Sequence, residues 1–128
     1  VHAVNSAFIY DWKSFKIALG SRWHSGKPIT NPVSNIINVS NPNQPKIDYN
    51  VPNNSNLSAY FQLNFSTSKD WKLTSKVMLQ TSFSVLNILN KKNVIQRFYR
   101  INAAENGIES VNTYSLSRTP NMNVKVSF

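Results

Sequence analysis

The stretch Leu73–Asn93, LTSKVMLQTSFSVLNILNKKN, decides the fold class of this chain. Between Leu73 and Val85 the odd-numbered residues are mostly apolar and the even-numbered ones mostly polar. This alternation predicts a strand with one apolar and one polar face. Strands of globular proteins usually have about 5–6 residues, whereas a tilted strand that crosses a bilayer needs roughly 9–11. The length of the run therefore favours a membrane-spanning strand that leaves through the turn-rich segment NILNKKN.

Two further alternating runs lie near the start of the chain, at 3–12 (AVNSAFIYDW) and at Phe15–Trp23. Asp11–Ser14 predicts a tight turn between them, and the two runs together predict a β-hairpin. Lys16 and Arg22 occupy the polar positions of the second run. Charged side chains are rarely buried without partners, so these two suit a wet lumen better than the core of a soluble sandwich.

The remaining strands are predicted from the same alternation. Leu57–Thr67 has the most regular pattern, and a tight turn at Ser68–Trp71 is expected to lead into the strand that starts at Leu73. The last strand is predicted from about Ile108 to Phe128. These five strands predict an all-β fold: an antiparallel transmembrane β-barrel segment that supplies about five C-terminal strands of a larger barrel.

Two long segments separate the predicted strands. Residues 25–56 are rich in Asn, Pro and Ser, which favour turns, and within them Asn35–Val39 is expected to pair locally. The second long connecting segment spans about Asn87–Gly107. Connections thus alternate between short and long, as in outer-membrane barrels with short periplasmic turns and long extracellular loops.

The alternation assigns side chains to two faces of the predicted wall. Aromatic residues gather near the short turns, where a girdle at the membrane interface is expected. The predicted lipid-facing and girdle residues are Tyr10, Trp12, Phe15, Trp23, Phe61, Leu63, Phe65, Trp71, Leu79, Phe83, Val124, Val126 and Phe128. The predicted lumen-facing residues are Lys16, Arg22, His24, Tyr60, Gln62, Asn64, Gln80 and Lys125.

Composition limits the alternatives. The 128 residues fit one domain, contain no cysteine and carry a formal net charge of +9. No run is apolar enough for a transmembrane helix, and a mean hydropathy of −0.34 is compatible with a barrel, whose strands turn every second residue to a polar lumen. The chain opens with VHAVNSAF, without Met or a signal peptide, so we expect a mature segment or a piece of a longer protein. The positive charge suggests a polyanionic partner, or a balance supplied elsewhere in that protein.

The sequence does not predict an enzyme, a metal site or a bound cofactor. His2, His24 and five carboxylates are the groups available for acid–base chemistry, and none falls in a catalytic or metal-binding motif. The segment Gln96–Arg100 mixes basic and aromatic residues, as single-strand nucleic-acid binders do. A soluble β-rich binding module, with nucleic acid as its ligand, is therefore the alternative hypothesis. We favour an extracellular strand extension without nucleic acid, because a small OB-type barrel does not need such long strands.

Four segments, in order, resemble one family of membrane proteins. LSAYFQLNFS (57–66) resembles the LPAYHRLDLS strand of TonB-dependent outer-membrane receptors of the carboxypeptidase-regulatory-like and starch-utilisation-like branch. SVLNILNKKNV (84–94) resembles the NLFNRKNV segment of these receptors, RTPN (118–121) resembles their C-terminal region, and WHSGKP (23–28) is similar to their GKPYT strand exit. The chain departs from the family at Ser58, which replaces Pro, and at Gln62 and Asn64, which replace Arg and Asp. No lumen ion pair is therefore carried over.

The resemblance implies a location and a set of partners. Such receptors have a plugged barrel of about 22 strands, so residues 1–128 would be its C-terminal part, without the plug domain and the remaining strands. The implied location is the cell outer membrane of a diderm bacterium, and the implied function is energised uptake of a scarce solute such as a ferric siderophore, glycan or peptide. The implied partners are outer-membrane lipid and lipopolysaccharide, the rest of the receptor chain, the TonB complex through the missing N-terminal part, and a surface lipoprotein. The resemblance also implies that Phe128 is part of an assembly signal.

Overall fold

The computed structural model describes residues 1–105 and 107–128. Within these residues the chain is all-β, with 61% of residues in strands and no helix. The strands are β1 (Ala3–Trp12), β2 (Phe15–His24), β3 (Pro28–Ile29), β4 (Ser55–Asn56), β5 (Tyr60–Lys72), β6 (Met78–Leu86), β7 (Val94–Asn102), β8 (Gly107–Tyr114) and β9 (Thr119–Ser127). The predicted all-β class is confirmed.

Five strands form the main sheet in the order β1-β2-β5-β6-β9. The pairs β1–β2, β5–β6 and β6–β9 are antiparallel. Strands β1 and β9 lie at the two edges, so the described residues form an open sheet and not a closed barrel. Two smaller hairpins, β3–β4 and β7–β8, complete the secondary structure of these residues.

The first predicted hairpin is confirmed. Its ladder runs without a break from Ala3 opposite His24 to Trp12 opposite Phe15. Lys13 and Ser14 make the turn, and Lys13 adopts a left-handed backbone conformation with φ of 53°. Ten residues of alternating polarity in each strand are thus paired along their whole length.

The predicted turn at Ser68–Trp71 is wrong. β5 continues through this segment to Lys72, because its ladder with β6 extends to Lys72 opposite Met78. The turn lies at residues 73–77, where the amide nitrogen of Leu73 donates to the carbonyl of Val77 at 3.1 Å. The hydroxyl of Thr74 accepts a bond from the Val77 amide at 3.1 Å. Such local bonds favour a turn over a strand, so β6 begins five residues later than predicted from Leu73.

The predicted last strand, Ile108–Phe128, is divided into two. β8 pairs with β7, ending with Tyr114 opposite Val94, whereas β9 pairs with β6, starting with Thr119 opposite Leu86. The strand breaks where its hydrogen-bonding partner changes from β7 to β6. The break falls at residues 115–118, which lie outside both ladders.

Residues 25–56 contain more pairing than their composition predicts. β3 pairs with β4, and isolated bridges join Pro32 to Tyr49 and Asn38 to Lys46. The local pairing expected for Asn35–Val39 is confirmed by the bridge from Asn38 to Lys46, whereas Ile36 pairs with the distant Gly107. The segment is therefore an irregular hairpin with a turn at residues 41–44.

The chain divides into two compact units. The loop unit contains Val1, Ser25–Tyr60 and Asn93–Ser115, and the sheet unit contains His2–His24, Phe61–Lys92 and Leu116–Phe128. Among the described residues, one apolar side chain is buried, that of Leu57, together with the polar side chains of Asn87 and Asn93. The strands are held mainly by their hydrogen-bond ladders, because the apolar side chains remain largely exposed.

Candidate functional site

The sheet unit has a continuous apolar face. Residues directly opposite one another in neighbouring strands point to the same side of a sheet, and the ladders place Tyr10 opposite Ile17 and Leu79 opposite Val126. The ammonium group of Lys69 on β5 lies 4.5 Å from the ring centre of Phe15 on β2, so the two halves of the sheet share this side. The apolar face contains Val4, Phe8, Tyr10, Trp12, Phe15, Ile17, Leu19, Trp23, Phe61, Leu63, Phe65, Trp71, Leu79, Phe83, Val85, Met122, Val124 and Val126.

Every predicted lipid-facing residue within a strand lies on the apolar face, while Phe128 follows the end of β9. Large side chains of this face are exposed over much of their surface: 64% for Phe8, 52% for Trp12 and 75% for Met122. Large exposed apolar patches mark surfaces that a membrane or another protein covers. The apolar face is therefore the candidate functional surface of the described residues.

The opposite side of the sheet is polar. Gln80 lies opposite Lys125, Ser82 opposite Asn123 and Ser84 opposite Asn121. The side chains of Gln62 and Asn64 are joined by a hydrogen bond of 2.8 Å. The predicted lumen-facing residues of the main sheet share this side by alternation along their strands: Lys16, Arg22, His24, Tyr60, Gln62, Asn64, Gln80 and Lys125.

Lysines and aromatic rings meet at the turn end of the apolar face. The ammonium of Lys69 lies 3.9 Å from the ring centre of Trp71, in addition to its contact with Phe15. Lys13 lies 5.3 Å from the ring centre of Trp12, which stacks on Phe15 at 6.3 Å. We call these five residues the lysine–aromatic cluster. Sequence reasoning missed Lys69 because it placed this residue in a turn, although its odd position matches the apolar positions of β5.

Polar groups on the apolar face hydrogen-bond to each other. The hydroxyls of Ser6 and Ser21 are 2.5 Å apart across the β1–β2 pair. The indole nitrogen of Trp71 donates to the hydroxyl of Thr81 at 3.1 Å. Such pairing lowers the cost of placing polar groups in an apolar environment.

Asn87 joins three parts of the sheet unit and is 1% exposed. Its side-chain nitrogen donates to the carbonyls of Lys91 at 3.0 Å and Leu116 at 2.9 Å, and its side-chain oxygen accepts from the Lys91 amide at 3.2 Å. Its backbone amide donates to the side-chain oxygen of Asn64 at 3.0 Å. We call this arrangement the Asn87 hydrogen-bond network. Sequence reasoning missed it, and the only local signal is that Asn tolerates the left-handed backbone, here with φ of 52°.

A second set of polar contacts, between Arg118 and residues 88–90, lies close to the Asn87 hydrogen-bond network along the chain. The Asn90 side-chain oxygen accepts a bond from the backbone amide of Arg118 at 2.9 Å, and the Arg118 guanidinium donates to the carbonyl of Ile88 at 2.9 Å. The segment NILNKKN is therefore bonded to the residues just before β9. It is the segment that resembles NLFNRKNV.

In the loop unit, the basic and aromatic residues of β7 contact their own neighbours. Arg97 donates to Asn112 at 2.7 Å, and Arg100 forms an ion pair with Glu109 across the β7–β8 hairpin. The hydroxyl of Tyr99 donates to Asn31 at 2.7 Å, and its ring meets the edge of Tyr49 at 6.5 Å. Both arginines of the segment Gln96–Arg100 therefore have partners within the chain.

No group of three or more His, Cys, Asp or Glu side chains that could hold a metal ion occurs in residues 1–105 and 107–128. Over the same ranges, no helix is long and apolar enough to cross a membrane. Comparison of the chain with protein families, curated proteins and solved structures found no match. The functional conclusion therefore rests on the two faces of the sheet and on the sequence resemblance.

Proposed function

We propose that this chain is part of the barrel wall of a TonB-dependent outer-membrane receptor, with its apolar face against lipid and its polar face towards the lumen. The observation that carries the proposal is the separation of the two faces over strands of nine to thirteen residues. Strands of this length reach across a bilayer when tilted. The alternation of apolar and polar residues is that of an outer-membrane barrel strand.

The open edges of the sheet support a larger assembly. Unpaired strand edges attract further strands and cause aggregation unless they are covered. β1 and β9 are long edge strands in the described sheet, and pairing with the other strands of a barrel would satisfy both. The implied partners are the rest of the receptor chain with its plug, outer-membrane lipid and lipopolysaccharide, the TonB complex and a surface lipoprotein. The function is energised uptake of a scarce solute across the outer membrane of a diderm bacterium.

The alternative, a soluble β-rich module that binds nucleic acid, has less support. Its basic and aromatic residues in β7 are engaged with Asn112, Glu109 and Asn31. A soluble module would also need another surface to cover the apolar face. The net charge of +9 is the observation that favours this alternative.

Quenching by brominated lipid tests the proposal on neighbouring residues of one strand. Leu79 and Gln80 point to opposite faces, so Leu79→Trp places an indole in hydrocarbon and Gln80→Trp places it in the lumen. In vesicles with brominated acyl chains, we expect added quenching for Leu79→Trp and little for Gln80→Trp. Each variant is compared with the parent protein, which contains Trp12, Trp23 and Trp71. Equal quenching of the two added indoles would refute the membrane assignment of the faces.

Labelling of single cysteines tests the orientation, since this chain has no cysteine of its own. The proposal puts residues of about 29–56 and 91–106 outside the cell and the short turns in the periplasm. A cysteine at Asn43 should react with an impermeant maleimide on whole cells, and one at Ser75 in the turn after β5 should not. Labelling of the Ser75 position alone would invert the orientation.

A further inference from the structure

A groove on the apolar face lies beside Lys69. It is lined by Phe15, Thr67, Ser68, Lys69, Thr81, Ser82, Phe83, Met122 and Val124, and its volume is about 240 Å³. One water molecule occupies about 30 Å³ in the liquid, and a methylene group is of similar size. The groove therefore has room for roughly eight methylene groups. The groove can therefore hold part of one hydrocarbon chain.

Lys69 places a positive charge at this groove. It is the one charged side chain on the apolar face of the described strands, because Asp11, Asp70 and Lys72 have the opposite parity. Its stem is half-buried against the rings of Phe15 and Trp71, with its ammonium 4.5 Å and 3.9 Å from their centres. Lysine stems commonly cover apolar surface while the charged group stays at the polar boundary. The position of Lys69 near the turn end of β5 fits that boundary.

The charge has no carboxylate partner on its own face. No Asp or Glu lies on the apolar face of the described strands, since Asp11 and Asp70 have the opposite parity. Thr67 and Thr81 line the same groove, and their hydroxyls can donate hydrogen bonds. An anionic group bound to an apolar chain matches this combination of ammonium, hydroxyls and hydrocarbon surface.

We propose that the groove is a binding site for one anionic phospholipid, whose headgroup phosphate contacts Lys69 and whose acyl chain lies along Phe83, Met122 and Val124. This inference rests on the proposed function, because it needs the apolar face in a bilayer. The ammonium selects the anionic headgroup, since the attraction between a membrane-surface lysine and anionic lipid is worth about 1 kcal/mol. That value corresponds to a roughly five-fold preference over a zwitterionic lipid.

The test uses the intact protein in vesicles and the fluorescence of Trp71. Brominated phosphatidylglycerol, or brominated phosphatidylcholine, is added in small amounts to vesicles of unbrominated phosphatidylcholine. The signal of Trp71 is the difference between the protein and its Trp71→Phe variant. We expect phosphatidylglycerol to bind near Trp71 about five-fold more tightly than phosphatidylcholine. Lys69→Gln should reduce this ratio to about one, Lys69→Arg should retain it, and Lys72→Gln, on the opposite face of the same strand, should leave it unchanged.

Each outcome of this experiment decides something. If neither brominated lipid quenches Trp71, the proposed membrane function falls. If both quench equally, the membrane function stands and the lipid site is refuted. Persistence of the preference in Lys69→Gln would also refute the site, and so would its loss in Lys72→Gln. Excess inorganic phosphate should leave the quenching unchanged, whereas displacement by it would mean that the site binds a free anion.

Discussion

Replacement of Asn87 by alanine should be among the most damaging single changes in the sheet unit. The side chain is 1% exposed and makes three hydrogen bonds, two to Lys91 and one to Leu116. Alanine removes all three and leaves backbone groups of Lys91 and Leu116 without these partners. It must also adopt the left-handed backbone that Asn87 has with φ of 52°, which alanine adopts less readily than asparagine.

The size of the effect follows from these two losses. Three hydrogen bonds at about 0.5–1.5 kcal/mol each amount to roughly 1.5–4.5 kcal/mol. The left-handed backbone adds about 1 kcal/mol. We therefore expect Asn87→Ala to lower the free energy of unfolding by about 2.5–5.5 kcal/mol. Asn87→Gly should cost about 1 kcal/mol less, because glycine adopts this conformation without strain.

The assay is urea unfolding of the intact protein in lipid vesicles, followed by tryptophan fluorescence. Asn90→Ala is the matched control, because Asn90 has the same φ of 52° but is exposed, and its side chain accepts one bond, from Arg118. Its substitution should cost about 1.5–2.5 kcal/mol, from one lost hydrogen bond and the same backbone term. The reasoning would be refuted if Asn87→Ala cost no more than Asn90→Ala.

Two further predictions concern backbone contact and the faces of the sheet. Gly26→Ala should destabilise the loop unit strongly, because a Cβ there would overlap the Leu57 carbonyl oxygen and lie 2.7 Å from the carbonyl carbon. The control is Gly20→Ala, whose Cβ would meet nothing closer than 3.9 Å. Its effect in the same unfolding assay should be mild. Leu79→Lys should cost about 2–4 kcal/mol in vesicles because it faces lipid, and Gln80→Lys much less. Similar losses at Gly26 and Gly20, or at Leu79 and Gln80, would contradict these predictions.

The alternation of the sequence predicted the strands and faces of the main sheet well. Tyr10, Phe61, Leu79 and Val124 share one side because side chains in a strand alternate with a period of two residues. This property depends on the local backbone alone, so it can be read from a single stretch of residues. The same reasoning predicted a turn at Asp11–Ser14, but in the structure Asp11 and Trp12 belong to β1, and the turn consists of Lys13 and Ser14 between two strands of ten residues.

The ends of strands were less predictable. The sequence predicts a turn at Ser68–Trp71 and a strand at Leu73–Val77. The structure reverses both assignments. A strand ends where its partner stops pairing, and the partner of β5 extends the ladder to Lys72. The end of β5 thus depends on its pairing with β6, whereas the turn at residues 73–77 is favoured by its own local hydrogen bonds.

By itself, the sequence determined that the chain is all-β and which side chains share a face, because both follow from the local backbone. The tertiary structure alone decided the sheet order β1-β2-β5-β6-β9, the division of the predicted last strand and the Asn87 hydrogen-bond network. Each of these depends on pairing between distant residues, as in the bond from Asn87 to Leu116, 29 positions later in the chain. The lysine–aromatic cluster is of the same kind, because the register of β5 brings Lys69 over the ring of Phe15 on β2.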